Sequence, residues 1–426
     1  MAYAERRGSN WRVKYRRPDG TWGSESGFET KAAALNWGHD QESDVRRNTW
    51  IDPAQTGILF GDFAEQVMAS AKLASNTRAK YRCNLDRHLL PQWGDWPLGA
   101  IFNHHLEIEK WVKDLHGKLA EPTVLSVFAF FSRILESAVK ARKIPANPAR
   151  GVRVSSGEYQ AERQVATPVQ FLRAAMRLHE NFGRSGMVLT LLNGYTGARW
   201  SELVALGPYD YDEANHAFPV RNPLRETAGK LEVASKPKTP AGRRWVQLPP
   251  FLDALYTDLI DACDHEYLFT GSQGGLMRRD TFRKRFWRPA WDGKPSHPET
   301  WMRRPILAGF TFHEGRHTHR TLLAQEGIPE VARAARLGHK VSGMASVYEH
   351  VTPQMLAQIQ SVLETLWWNS VHALTSREQE RLFTEVPLLD ELYRASMKHG
   401  LPEEPATETI SRISPIRDWS SRPNKP

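Results

Sequence analysis

Cysteine is scarce: only Cys83 and Cys263 occur in 426 residues, far apart and in no metal-ligand spacing. That excludes a disulfide framework and a cysteine-based zinc site, and it points to a reducing cytosol. Long apolar runs are also missing, since no stretch approaches the roughly 18 uninterrupted apolar residues that a membrane span needs. The opening residues carry Glu5, Arg6 and Arg7 with no apolar h-region behind them, which argues against a secretory signal. There is no internal repeat. Negative charge is in deficit, with 48 Asp+Glu against 57 Lys+Arg, and the resulting net charge of +9 suits a polyanionic partner. What the chain does have is 40% hydrophobic and 10% aromatic residues, enough for buried cores, so disorder of the whole chain is excluded. At about 150 residues per domain, the length predicts roughly three domains.

The first module spans 1–57. Trp11-Arg12-Val13-Lys14-Tyr15-Arg16 alternates with the period of a half-buried strand, Pro18-Asp19-Gly20 is a turn, and a helix is expected from Thr30 to about Arg47. Two or three short strands backed by one helix follow. Trp11, Val13 and Tyr15 face that helix, while Arg12, Lys14 and Arg16 form an open basic face, either merely solvated or able to enter a DNA groove. From 58 to 150 the pattern is helical, with helices expected over 60–74, 78–90, 105–116 and 122–142 and a break at Pro91. Val124, Val127, Phe128, Phe131, Leu135 and Val139 form a buried stripe. Arg78, Lys80, Arg82 and Arg87 are candidates for phosphate contact. Pro145, Pro148, Gly151 and Ser155-Ser156-Gly157 mark a linker over 151–164. A mixed helix and strand domain is expected over 165–368, opening with Thr167-Pro168-Val169-Gln170 as a capping box. Beyond it lies a tail, 369–426, with one helix over 376–398 and a Pro/Ser-rich end expected to be disordered from Pro402.

Four segments of the third domain carry the chemistry: Thr196-Gly197-Ala198-Arg199-Trp200-Ser201-Glu202-Leu203, a turn feeding a helix; Ser235-Lys236-Pro237-Lys238-Thr239-Pro240, ahead of a strand and read with it as a β-hairpin; Phe312-His313-Glu314-Gly315-Arg316-His317, opening a helix; and Leu337-Gly338-His339, with Tyr348 nine residues on. Singly each has an ordinary reading. Arg199 with Glu202 is a surface ion pair worth about 0.3 kcal/mol, His339 is a helix cap, and Tyr348 is a half-buried tyrosine.

In this order and spacing the segments resemble the tyrosine recombinase family, specifically phage-type and mobile-element integrases. That family has a first Arg in T-G-x-R-x-x-E-L, a Lys on a β-hairpin, H-x-x-R on a helix, L-G-H and then the Tyr. The resemblance covers about residues 60–365. It implies a small β-sheet-plus-helix arm-type DNA-binding module, an all-α core-binding domain of the SAM-like kind, and a mixed α+β catalytic domain. It places the catalytic set on Arg199, Lys238, His313, Arg316, His339 and Tyr348, with Glu202 holding Arg199 or His339. Lys236, two residues from Lys238 on the same strand face, leaves the lysine open. Two departures stand out: Gly315 replaces a commoner Leu, and the 291–309 loop is long. The implied reaction is DNA cleavage and rejoining through a 3′-phosphotyrosine with no cofactor or metal. The implied partners are double-stranded DNA at core and arm sites and three further copies of the chain in a homotetramer, with room for a directionality factor or a DNA-bending host protein. The place of action is the bacterial cytoplasm, on the nucleoid.

Two other readings follow from the same residues. A regulator derived from an integrase would keep the fold and the DNA binding without the chemistry. His313-Glu314-Gly315-Arg316-His317 also matches H-E-x-x-H, the zinc-protease pattern. Against the latter, Arg320 stands where the extended motif needs Gly, and a glycine inside the helical turn costs about 1 kcal/mol relative to Ala. His317 is expected to be structural and His319 to lie on the surface. The stripe Met355, Leu356, Ile359, Val362, Leu363 and Leu366 fits packing on its own domain or on a neighbouring subunit equally well.

Overall fold

Alternation builds the first sheet. The computed structural model describes residues 1–155, 163–227, 229–235, 242–271, 273–293, 304–339 and 350–399. It places Tyr3–Arg7 (β1), Asn10–Arg16 (β2) and Trp22–Phe28 (β3) in an antiparallel sheet of order β1-β2-β3, with Lys31–Arg47 (α1) behind it. Val13 and Tyr15 are buried with Ala2 and Ala34, whereas Trp11 is only partly covered. Thr30 caps α1 by accepting from the Ala33 N–H. By contact density the chain divides into two compact units, Met1–Gln160 and Ala161–Pro426. The first unit contains this module and a separate helical core.

That helical core is built from Phe60–Ser70 (α2), Ser75–Asn84 (α3), Leu98–Asn103 (α4), His105–His116 (α5) and Glu121–Lys140 (α6). The expected stripe is confirmed for Val124, Val127, Phe128, Phe131 and Leu135, and Val139 packs against its edge. α6 is the one described helix long and apolar enough to cross a membrane, and here eight of its side chains are buried in the core. Pro91 does not break the chain as expected. α3 runs on through a π turn, Leu85–Leu89, into Leu90–Trp93. The wider turn moves away the carbonyl that a proline ring would otherwise strike. The same device recurs at Arg283–Trp287, just before Pro289.

In the second unit a long helix, Pro168–Thr196 (α7), forms the spine. Its start is the expected capping box, with Thr167 and Gln170 bonded reciprocally. It is kinked at Gly183. Trp200–Leu203 (α8) follows. Ala217–Val220 (β4) pairs with Arg244–Gln247 (β7), and Leu224–Thr227 (β5) pairs with Lys230–Val233 (β6), both antiparallel. Of the hairpin expected over 235–249, residues 236–241 lie outside the described residues; β7 pairs with β4, and Val246 joins the core. Pro250–Asp261 (α9), Arg279–Phe282 (α10), Phe312–Gln325 (α11), Glu330–Leu337 (α12) and Pro353–His372 (α13) complete the body. The α13 stripe faces its own core, with Ile359 and Leu363 fully buried. Glu364 of α13 accepts the Phe251 N–H at the start of α9 and the Trp368 indole N–H.

The tail begins as two helices rather than one, Ser376–Glu385 (α14) and Pro387–His399 (α15). Leu382, Val386 and Leu389 join the same core as α7, and Glu378 grips Arg173 of α7 at 2.8 and 3.1 Å. Residues 376–399 thus pack on the body, where a separate tail was expected. The stretch from Pro402 lies outside the described residues.

Candidate active site

Helix ends aim the side chains here. α7 stops at Gly197 (φ 63°), a left-handed conformation that favours glycine. A side chain at that position would also meet Leu337 Cδ2 at 2.6 Å and His319 Cδ2 at 2.8 Å. The turn releases Arg199, whose backbone N–H donates to Glu202 Oε2 (2.8 Å) and whose guanidinium donates to Glu202 Oε1 (2.7 Å).

α11 begins with a second capping box, in which Thr311 and Glu314 satisfy each other's backbone N–H. One turn in, the buried Arg316 donates to the Gly197 carbonyl (2.8 Å) and to the Leu337 carbonyl. α12 ends at Gly338 (φ 65°), with the His339 N–H returning to the Ala334 carbonyl at 2.9 Å, a Schellman closure. This turns His339 back so that its Nε2 accepts from Arg316 at 2.9 Å. An accepting Nε2 carries no proton, so the ring proton sits on Nδ1.

Arg199, His313 and Arg316 line one cleft of about 310 Å³, with Arg279, Ser201 and Glu226 as further polar lining and Trp200, Leu224 and Phe312 among its apolar wall. The electrostatics are lopsided. Arg244, Arg316 and Arg336 are buried and Arg199 is half-exposed, yet among the described residues the buried carboxylate beside them is Glu202 alone. Burial pushes the Glu202 carboxyl up, but Arg244 and Arg199 together hold it below the usual range. Burial, then Arg199, brings Arg316 down to about 9, which leaves it charged at neutral pH. His313 is pushed down by desolvation and then by Arg316, Arg163, Arg199 and Arg279. His339 is lowered by desolvation and then by Arg316 and Arg199. Both shifts favour the neutral imidazole. Such a pocket holds cationic donors in excess and offers neutral rings to move protons, which suits an oxyanion with charge building on it.

The described structure thus brings together Arg199, Glu202, His313, Arg316 and His339. Lys236, Lys238 and Tyr348 lie outside the described residues. Other readings need correction. His319 is not at the surface: it is fully buried, its Nδ1 donating to the Gly194 carbonyl (3.0 Å) while Nε2 accepts from Arg336 (3.0 Å). His317 is half-buried and held by Arg163. The H-E-x-x-H reading loses its general base, because Glu314 is spent on the Thr311 backbone. Among the described residues no three His, Cys, Asp or Glu side chains gather to hold a metal.

Of the phosphate candidates, Arg78 is used at the end of α2, donating to the carbonyls of Met68 and Ala71, both at 2.9 Å. Arg82 is neutralised by Glu65, with both oxygens at 2.7 Å, and by Asp86. Lys80 and Arg87 are exposed and make no ion pair among the described residues. On the first sheet Arg12, Lys14 and Arg16 share the open face with Glu5, Tyr3 and Trp22. Arg12 and Lys14 lie 3.8 and 3.9 Å from Glu5, and Arg16 stacks 4.2 Å from the Trp22 ring.

Sequence reasoning missed Arg244, Arg336 and Arg279. Arg244 was within reach, because strand alternation puts it on the same inward face as Val246. Arg336 and Arg279 carry no such signal, since their roles depend on elements distant in sequence.

Comparison with known proteins agrees with this geometry. Residues 170–355 match the Phage integrase family. A protein named as a prophage phiRv2 integrase in Mycobacterium tuberculosis is 24% identical over 368 residues, covering 84% of this chain and 92% of its own length. The integrase of Mycobacterium phage L5 is 22% identical, covering 76% and 85%. In fold, the Tn1549 transposon integrase in complex with transposon right end DNA aligns with TM-score 0.57 at 19% identity, over 69% of this chain and 96% of that one. A lambda integrase dimer bound to a core site aligns at 0.51 with 15% identity, over 81% and 93%. Residues 170–355 of this chain thus carry a phage integrase domain, that of the tyrosine recombinases.

Proposed function

We propose that this recombinase cleaves and rejoins DNA through Tyr348, integrating a phage or integrative element and also able to excise it. The observation that carries the proposal is the cleft itself. Two guanidiniums, Arg199 and Arg316, line one wall beside His313, with His339 bonded to Arg316 and, among the described residues, a single buried carboxylate beside them. A phosphodiester resists attack because it is already anionic, and guanidiniums that remain charged can clamp its non-bridging oxygens bidentately. The Tyr348 oxygen attacks phosphorus, forming a 3′-phosphotyrosine, while the bond to the 5′ oxygen breaks. The phenol has an ordinary pKa of about 10, so its proton passes to a neutral base, here His313. The departing 5′ oxygen takes a proton from Lys238. His339, protonated on Nδ1, donates to the phosphate. Rejoining reverses the step onto another strand's 5′-hydroxyl and needs no external energy source.

In this reading residues 1–57 bind arm sites through the Arg12, Lys14 and Arg16 face. Residues 58–150 clamp the core site with Lys80 and Arg87, joined through a linker to the catalytic domain. Four chains assemble on DNA, with a directionality factor or a DNA-bending host protein as the accessory class, in the bacterial cytoplasm. The test uses nicked DNA carrying the attachment junctions of the element that encodes the chain, followed by a denaturing gel. The wild type should form a covalent adduct, and Tyr348→Phe should bind equally well and form none. Retention of DNA by the wild type without any adduct would make the protein a DNA-binding regulator instead.

A further inference from the structure

One guanidinium that faces neither the cleft nor solvent ties the site together. Arg244, on β7, is 8% exposed. Its Nη2 donates to Glu202 Oε2 (2.9 Å), its Nε to the Arg336 carbonyl (2.6 Å) and its Nη1 to the Gly242 carbonyl (3.2 Å). Each acceptor belongs to a different functional segment. Glu202 holds Arg199, the Arg336 carbonyl precedes the Leu337-Gly338-His339 turn, and Gly242 stands four residues after Lys238 in the sequence.

We propose that Arg244 is a positioning residue for strand cleavage, drawing the charge of Glu202 away from Arg199 so that Arg199 remains available to the scissile phosphate. This rests on the reading above that Arg199 grips that phosphate. The physical reason is competition. Glu202 offers two oxygens, and each guanidinium has its own nearer acceptor: Arg199 donates to Oε1 at 2.7 Å, and Arg244 to Oε2 at 2.9 Å and Oε1 at 3.4 Å, while the Arg199 backbone N–H also donates to Oε2 at 2.8 Å. With Arg244 removed, the buried carboxylate has, among the described residues, only Arg199 left as a cationic partner in direct contact, and a tighter pair between them withholds that guanidinium from the DNA. The same loss unties the carbonyl beside the turn that presents His339.

The test compares Arg244→Gln with the wild type on natural core-site DNA and on DNA carrying a neutral methylphosphonate at the scissile position. Core-site affinity should stay within about twofold while the single-turnover rate of adduct formation on natural DNA falls at least about tenfold. On the methylphosphonate, which has no charge for Arg199 to neutralise, the loss should shrink to about threefold or less. Adding Glu202→Gln to Arg244→Gln should recover part of the rate on natural DNA. An equal loss on both substrates, or no recovery in the double variant, would mean that Arg244 is merely structural and would overturn the proposal. Should Arg244→Gln fail to fold, Arg244→Lys, which keeps the charge but loses the fork, carries the same comparison, with an intermediate loss expected. Absence of any adduct from the wild type would instead refute the recombinase reading.

Discussion

Gly315, a departure from the recombinase pattern that the sequence resembles, has a packing reason in the structure. A Cβ at 315 would lie 1.8 Å from Asn193 Oδ1 and 2.5 Å from its Cγ. Asn193 has no exposed surface, and its Nδ2 donates to the Phe312 carbonyl at 2.9 Å, bridging α7 to the first turn of α11. Substitution by Ala gains about 1 kcal/mol of helix propensity. Against this, swinging Asn193 aside forfeits a buried hydrogen bond, about 1 kcal/mol plus about 1–3 kcal/mol for the partner left unsatisfied. Crowding of the interface adds about 1–3 kcal/mol. The balance for Gly315→Ala is a destabilisation of about 2–6 kcal/mol, which for a unit of this size lowers the melting midpoint by about 4–24 °C. Because α11 carries His313 and Arg316, adduct formation should fall with it. Thermal unfolding of the full chain checks the first effect. Asn193→Ala in the Gly315→Ala background should recover the crowding part of the loss, about 1–3 kcal/mol, by making room for the new methyl, but not the lost bond to the Phe312 carbonyl. A Gly315→Ala protein that melts at or above the wild-type temperature would refute the packing argument.

Three further outcomes are expected. Arg199→Ala and Arg316→Ala should each slow adduct formation by about a hundredfold or more, from about 3–4 kcal/mol of lost oxyanion stabilisation, while gel-shift affinity changes far less. Stability should fall as pH drops below the ordinary histidine range. His317 is brought down to about 4, chiefly by desolvation and then by Arg163, and the fully buried His319 goes well below its usual value by desolvation and then Arg336. Between about pH 6.5 and 4 the unfolded chain therefore binds protons that the folded chain refuses, so folding stability is full above that window and declines through it. Urea midpoints measured from pH 8 to 4.5 should show this, and a flat profile would contradict it. Finally, Lys80→Ala or Arg87→Ala should each reduce the slope of log affinity against log salt by about 1, whereas Arg78→Ala, which strips the end of α2, should lower stability instead.

The sequence by itself determined the local devices. The alternation of residues 11–16 specified a strand with Val13 and Tyr15 inward, Thr167-Pro168 started a helix, and the glycines of Thr196-Gly197-Ala198-Arg199 and Leu337-Gly338-His339 ended two helices, because caps, turns and period depend on neighbours along the chain. The motif order also identified Arg199, His313, Arg316 and His339 as one set. Tertiary packing decided what those devices could not. Pro91 was carried by a π turn because the surrounding helices gained more from a continuous spine than a break would have saved. Arg78 and Arg82 gained intramolecular partners, and His319 was taken from the surface into the core. The stripe of α13 met its own domain, and the 376–399 helices closed over α7. Arg244 acquired its role only when β7 paired with β4, because a charge's partners are set by which segments the fold brings within about 3 Å, and sequence distance says nothing about that.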